Sequence, residues 1–301
     1  IGGMNGDEIE VEPGVVLDHL NARLRQRHQW FPVDPSTGSR ATLGGMAGNN
    51  SAGARSLRYG TMVDNVSAIE VVLPDGRRLW LGSEESEEHY MPTELAFLRS
   101  LYANHAAEII QRTPNTMRNV AGYNLASLNP NQENLAQLLV GSEGTLAFFV
   151  RLRLKLSPLL RSRVLGICHF DGLLEALDTV QHIVKLNPTA VELVDQNILS
   201  LGARHPDFRS AMSDFVTGTP KALLLVEFSE ELPGTDLGDK LNELEELLSE
   251  LGHPNSVVRA ETESLQSAAW SVRKAGLNIL MSMAGPRKPI SFIEDCAVPL
   301  E

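Results

Sequence analysis

Apolar and polar positions change period several times along the chain, and each change marks an element. Strands are expected at residues 8–11 and 68–73. Another is expected in the run from Val150 to Leu156, where apolar residues alternate with basic ones. Val15, Val16, Leu17, Leu20 and Leu24 recur at helical spacing after the Pro13-Gly14 turn, which predicts an amphipathic helix over 15–26. Pro74-Asp-Gly76 reads as a hairpin turn, a charged start at Glu84 opens a helical stretch to about Arg112, and a short helix precedes Gly141. Pro158 divides the pattern. Beyond it, strands at 163–170, 222–228, 256–262 and 289–298 are interleaved with helices at 173–186, 190–201, 236–251 and 264–281. Alternation alone fits either a parallel sheet or an antiparallel sheet with helices on one face.

Between these elements lies Thr42-Leu-Gly-Gly-Met-Ala-Gly-Asn-Asn-Ser-Ala-Gly-Ala-Arg-Ser-Leu-Arg-Tyr-Gly60, with five glycines and two adjacent asparagines in nineteen residues. Glycine has no Cβ, so its backbone can approach a phosphate, a ribose or a flat ring closely. Asparagine and serine add short hydrogen-bonding arms. The segment reads as a ligand-binding loop, the plainer alternative being an ordinary surface loop. A second segment, Gly141-Ser-Glu-Gly-Thr-Leu146, follows the apolar run 135–140.

Together with Arg118-Asn-Val-Ala-Gly-Tyr-Asn-Leu125, these segments resemble the FAD-linked oxidoreductases of the vanillyl-alcohol oxidase, or PCMH, type. The branch they resemble contains D-lactate dehydrogenase, the glycolate oxidase flavin subunit and D-2-hydroxyglutarate dehydrogenase. The motifs occur in order: Val11-Glu-Pro-Gly-Val-Val-Leu17, Phe31-Pro-Val-Asp-Pro-Ser36, the Gly44-Gly45 segment, Gly122-Tyr123 and Gly141 to Leu146. The resemblance implies an α+β protein. An FAD-binding PCMH-type domain over 1–157, incomplete at its N-terminus, precedes an antiparallel-sheet-plus-helices cap domain over 158–301, incomplete at its C-terminus. The cap would cover the flavin and form the substrate pocket, and its resemblance lies in Pro188-Thr-Ala-Val-Glu-Leu-Val-Asp195 and Leu223-Leu-Leu-Val-Glu-Phe228. Members carry a further glycine- and serine-rich pyrophosphate loop before the Glu-Pro-Gly-Val motif, and residues 1–7 are too short to supply it. The chain is therefore expected to be a piece of a longer polypeptide that does not turn over alone.

FAD is the implied cofactor. Its ring needs apolar walls and backbone donors while the protein supplies orientation. Gly44, Gly45 and Gly53 would give the close backbone approach, and Thr42, Asn50 and Ser51 would bond the diphosphate, ribose or pyrimidine edge. Pro32, Tyr59, Gly60 and Leu146 belong to the same motifs; the resemblance puts Glu143 and Gly144 at the adenosine or ribityl contacts and Tyr123 near the flavin. Arg55 and Arg58 are weaker carboxylate or phosphate candidates, and either can simply pair with acidic neighbours. In the cap segment, Trp270-Ser-Val-Arg273 is similar to a motif of the D-2-hydroxyglutarate dehydrogenases whose arginine binds a substrate carboxylate and is followed by a lysine. Arg273 and Lys288 match these two, but a hydroxyl-bearing residue expected one turn after the arginine is Leu277. A guanidinium suits a carboxylate because its donors match the anion in pairs. The plainer role for Arg273 is an exposed helix cation resting its stem on Trp270. The implied reaction is oxidation of a small D-2-hydroxy acid by hydride transfer to flavin N5. No catalytic base is assigned, since His19, His28, His169, His182, His205 and His253 lie outside the motifs.

Composition narrows the classes. A hydrophobic share of 43% over 301 residues supports a substantial core, and a net charge of -12 speaks against nucleic acid as a partner. No apolar run approaches the roughly 18 residues of a membrane span. Cys168 and Cys296 lack metal-ligand spacing and read as free thiols, which fits a reducing, cytoplasmic setting, with peripheral membrane attachment of the parent compatible with it. The insertion after Glu84 resembles long bacterial members that add an iron–sulfur half, the expected route to an otherwise unassigned electron acceptor. Two other readings stay open: a flavoenzyme of the same fold with a different substrate, such as an ether-lipid synthase or an amino-sugar reductase, and a flavin-free binding module.

Overall fold

The computed structural model describes residues 2, 4–82, 91–120, 122–131, 134–230, 236–276 and 297–300. The chain divides into two compact units, Ile1–Leu159 and Leu160–Glu301.

The first unit is built on an antiparallel five-stranded sheet formed by β1 (Met4–Asn5), β2 (Glu8–Val11), β4 (Val66–Val72), β5 (Arg78–Leu81) and β6 (Phe148–Lys155), in the order β1-β2-β6-β4-β5. Strands β3 (Gln29–Trp30) and β7 (Ser157–Pro158) pair separately. Ile9, Val11, Ile69, Val71, Leu152 and Leu154 turn inward, where α1 (Leu17–Leu24) adds Leu17, Leu20 and Leu24 to the same core. The Pro74-Asp-Gly76 hairpin closes with the Gly76 N–H donating to the Leu73 carbonyl at 2.9 Å, at φ 88°. Short helices α2 (Leu43–Asn49), α3 (Ser56–Tyr59) and α4 (Met62–Asn65) fill the span between β3 and β4. After β5 come α5 (Pro92–Arg112) and α6 (Leu135–Leu139).

The opposite face of this sheet carries an ion-pair ladder. Glu70 receives Arg151 Nε at 2.5 Å and Arg78 Nε at 2.8 Å, while Glu10 receives Arg151 and Arg153 at 3.2 and 3.0 Å. Both Arg151 and Arg153 also lie over the Trp80 ring. The Arg151 hydrogen bond holds the Glu70 carboxyl below its ordinary pKa, against the opposing effect of burial, and Arg78 adds to the lowering. A folded-state pKa below the unfolded one gives stability that is present above the ordinary carboxylate range and is lost as pH falls through the depressed value. Glu70→Gln is expected to cost about 1 kcal/mol near neutrality, because its arginine partners are half in solvent. The gap to the unmodified protein should close below about pH 4 in urea titrations, and a gap that persists in acid would contradict this ladder's role.

The second unit is an antiparallel four-stranded sheet of β8 (Ser162–Phe170), β9 (Ala190–Asp195), β10 (Ala222–Glu230) and β11 (Val257–Ala260), in the order β11-β8-β10-β9. Val164, Cys168, Phe170, Leu224, Val226 and Phe228 face a core shared with α7 (Leu173–Ile183) and α10 (Leu237–Glu250). Side chains alternate along a strand, so Leu223, Leu225 and Glu227 face the other way. There α11 (Glu263–Lys274) meets them, with Trp270 Nε1 donating to Glu227 at 3.1 Å. Helices therefore cover both faces of this sheet, which explains why β10 is buried at eight consecutive positions, Ala222 to Ser229.

The expected helix over 190–201 is corrected by the structure. Ala190–Asp195 is a strand paired with β10, and only Gln196–Gly202 is helical, as α8. Asp195 ends the strand by capping the helix, its carboxylate accepting the Ile198 N–H at 2.9 Å. A further helix, α9 (Pro206–Ser213), was not foreseen. The expected strand over 289–298 and the end of the helix over 264–281 lie largely outside the described residues. No described helix is long and apolar enough to cross a membrane.

Candidate functional site

The glycine-rich segment is not a loop throughout. Thr42 caps α2, its hydroxyl accepting the Gly45 N–H at 3.3 Å, and Leu43, Met46 and Ala47 bury one side of the helix. Asn50 ends α2 in the left-handed conformation, φ 49°, a region asparagine tolerates. The helix's terminal carbonyls are then taken by the second motif: Gly141 N–H reaches the Ala47 carbonyl and Glu143 N–H the Gly48 carbonyl, each at 2.9 Å. Asn49 Nδ2 donates to the Glu143 carboxylate at 3.1 Å. Two segments about ninety residues apart thus form one backbone unit, the pair Asn49–Glu143 spanning 94 positions.

A groove of about 430 Å³ borders this unit, lined by Thr42, Gly44, Gly45, Gly48 and Gly144 together with the apolar Pro13, Ala147, Phe148 and Phe149. Phe148 is 71% exposed there. A Cβ added to Gly144 would meet nothing within 4 Å, and one on Gly45 would meet only the Thr42 hydroxyl at 3.1 Å. A polar cavity of about 220 Å³ includes Asn50, Thr61, Arg118, Tyr123, Asn124 and Gly141 in its lining. The Asn50 side-chain carbonyl accepts Thr61 Oγ1 at 3.1 Å and the Val63 N–H at 3.0 Å, and Tyr123 shares a 2.9 Å hydrogen bond with Thr145.

Thr42, Gly44, Gly45 and Gly144 come together on the groove, and Asn50 and Tyr123 on the polar cavity, but Gly44 serves the fold: its N–H donates to the Pro13 carbonyl at 2.8 Å and a Cβ there would fall 2.4 Å from the Pro13 ring. The other predicted cofactor residues line neither. Gly53 packs against the protein itself: a Cβ would fall 2.5 Å from the Asp34 carbonyl carbon and 2.6 Å from its nitrogen. Gly60, at φ 73°, faces the Asp64 carboxyl in the same way. Ser51 bonds to Asn49, Tyr59 meets Trp30 edge-on at 5.4 Å, Pro32 is buried, and Leu146 packs on the core. Arg55 is committed to Asp34 at 2.6 Å with both side chains largely buried, so its pairing is internal; Arg58 lies over the Tyr59 ring.

In the second unit, Arg273 is on the last turn of α11. Its Nε and Nη2 both reach Glu192 Oε2 on β9, each at 2.7 Å. Arg273 is thus ion-paired to the sheet, and the Trp270 indole nitrogen donates to Glu227. Lys288 and Leu277 lie outside the described residues.

Comparison with known proteins decides the family. Residues 4–82 match the FAD binding domain, and residues 159–301 match the C-terminal domain of FAD linked oxidases. The chain belongs to the FAD-linked oxidases. Its cofactor is FAD. The D-2-hydroxyglutarate dehydrogenase of Escherichia coli K12 is 30% identical over 320 residues, taking in 97% of this chain and 31% of that protein. A probable mitochondrial D-lactate dehydrogenase of Danio rerio is 30% identical over 295 residues, covering 97% of this chain and 49% of its own. The chain therefore spans a third to a half of these relatives' length. A solved alkyldihydroxyacetonephosphate synthase shares the fold, with a TM-score of 0.60 at 18% identity over 91% of this chain and 43% of that one.

The groove suits FAD on its own terms. Its volume falls in the range of small-ligand sites, apolar side chains form its walls, and the absent side chains of Gly45 and Gly144 leave backbone exposed where a flat ring or a sugar can lie. Sequence reasoning left Pro13, Gly14, Gly48, Phe148 and Phe149 out of the site. Gly48 was findable once α2 was seen as a helix, because it lies four residues after Gly44 and three after Gly45 on one face.

Proposed function

We propose that the parent protein of this chain oxidises a small D-2-hydroxy acid to the 2-oxo acid. The observation that carries the reading is the occurrence, in one chain and in this order, of an FAD binding domain with an open glycine-lined groove and an FAD-linked oxidase C-terminal domain presenting Arg273. Relatives named D-2-hydroxyglutarate dehydrogenase and D-lactate dehydrogenase support the hydroxy-acid class. Bound FAD supplies the hydride acceptor at N5. The chain's own part is binding and orientation: Thr42, Gly45, Gly48 and Gly144 present close-approach backbone to the cofactor, Asn50, Tyr123 and Glu143 hold the surrounding turns, and Arg273, with Lys288, holds the substrate carboxylate. Fixing the carboxylate limits the directions in which the carbinol C–H can point, which converts binding energy into orientation.

The test is anaerobic titration of the full-length, FAD-loaded protein with D-lactate, glycolate and D-2-hydroxyglutarate, and with their L-enantiomers where these exist. Bleaching of the flavin absorbance by one D-acid and not by its mirror image is the expected result. No bleaching by any of them would overturn the reading.

A further inference from the structure

The contact between α11 and β9 says more than that an arginine is paired. A guanidinium has two edges that can each take a carboxylate: the side edge, made by Nε–H and one Nη2–H, and the end edge, made by Nη1–H and the other Nη2–H. Glu192 occupies the side edge: its Oε2 accepts from Nε at 2.7 Å and makes the ion-pair contact to Nη2 at the same distance. Arg273 has no other partner among the described residues, and its side chain is 37% exposed.

The mounting of the helix makes this orientation definite. Glu192 lies opposite Leu225 in the β9–β10 register, and Glu227 lies two residues along β10 from Leu225, so both carboxylates stand on the same face of the sheet. Trp270 and Arg273 are one turn apart on α11, and Trp270 Nε1 donates to Glu227, which is 1% exposed, at 3.1 Å. Two carboxylates on one sheet face thus take two successive turns of the helix, which fixes its rotation about its own axis. Gln266, a turn earlier, adds bonds from its amide to the Arg163 and Ala260 carbonyls at 2.7 and 3.0 Å.

We infer that Glu192 is a positioning residue for substrate recognition: it grips the side edge of Arg273 and leaves the end edge, which no described residue takes, to receive a substrate carboxylate. The inference rests on the proposed role of Arg273 as the carboxylate ligand. A long arginine side chain left to itself samples many rotamers, and holding it in one before substrate arrives removes that cost from binding. Glu192 acts through Arg273 and touches no substrate atom.

The experiment uses the full-length flavoprotein and steady-state kinetics with its best D-2-hydroxy acid. Glu192→Ala is expected to lower kcat/KM about 10-fold, mainly through KM, the size of effect that follows loss of a charged hydrogen bond. Glu192→Gln, which keeps an accepting oxygen in place, should stay within about threefold of the unmodified enzyme. In an Arg273→Ala background, which should itself be the more damaging change, Glu192→Ala should have no further effect, because there is nothing left to position. Bound FAD and melting temperature are read for every variant, with Glu192→Met as a second truncation that preserves packing volume.

If Arg273→Ala leaves kcat/KM unchanged, the carboxylate-ligand reading fails and this inference falls with it. If Arg273→Ala is damaging while Glu192→Ala equals the unmodified enzyme, or costs as much with Arg273 as without it, the positioning role alone is overturned. Loss of folded protein in the alanine and methionine variants alike would assign Glu192 to the fold and also overturn it.

Discussion

Gly45→Leu is expected to weaken FAD binding by about 100-fold or more while the protein stays folded, an overpacking cost of roughly 3 kcal/mol placed on the complex alone. Gly45 is exposed on α2 and borders the groove, and a side chain there has only the Thr42 hydroxyl beside it. Leucine is a better helix former than glycine, which offsets the few tenths of an ångström by which the Thr42 hydroxyl, 3.1 Å from the new Cβ, must give. The bulk instead enters the space along Gly48 and Gly144 that the cofactor is proposed to use. Equilibrium titration of apoprotein with FAD, followed by flavin fluorescence, gives the affinity, and circular dichroism checks the fold. Unchanged affinity in a folded Gly45→Leu protein would show that the ligand does not lie in this groove.

The second large effect lies eight residues further on and has the opposite character. Gly53→Ala adds a single methyl group, yet that carbon would sit 2.3 Å from Asp34 Oδ1 and within 2.6 Å of two Asp34 backbone atoms. Backbone cannot swing aside as a side chain can. The same Asp34 holds Arg55 through its carboxylate, at 2.6 Å from Nη1 and 3.1 Å from the Arg55 amide, so displacing it breaks a largely buried ion pair as well. A loss of about 3 kcal/mol or more is expected in urea unfolding of the apoprotein, before any question of cofactor arises. Gly48→Ala is the matched control: its nearest neighbour would be the Glu143 Cα at an ordinary 3.9 Å, and alanine is worth up to about 1 kcal/mol over glycine in a helix. If Gly53→Ala proves as mild as Gly48→Ala, the close packing on Asp34 is not what keeps residue 53 a glycine.

These two glycines show how far the sequence could be read. Their density marked the segment as special, but density does not say what each one faces. Gly45 and Gly144 look into the groove, whereas Gly53 and Gly60 accommodate Asp34 and Asp64, and only three-dimensional proximity separates the two sets. Helix α2 was hidden for a related reason. Three glycines in seven residues lower helix propensity, and what stabilises it instead is the Thr42 cap and the turn at 141–143, which is remote in sequence. Elements with one clear period were legible: α1 and α10 from their recurring leucines, β6 from its alternation with arginines. Ala190–Asp195 misled because Ala-Val-Glu-Leu-Val runs straight into a helix, and the boundary rests on one capping carboxylate. Arg273 was picked out by a motif, but its partner Glu192 lies 81 residues away, and no spacing rule joins the two.

Strand β10 is hydrogen-bonded along both edges, to β8 and to β9, and roofed on both sides by helices. Its amide protons therefore have no local route to solvent and can exchange with deuterium only when the whole second unit opens. The slowest exchange rates along Leu223 to Glu227 would then report that unit's global unfolding free energy directly, without denaturant and independently of whether flavin is bound elsewhere on the chain.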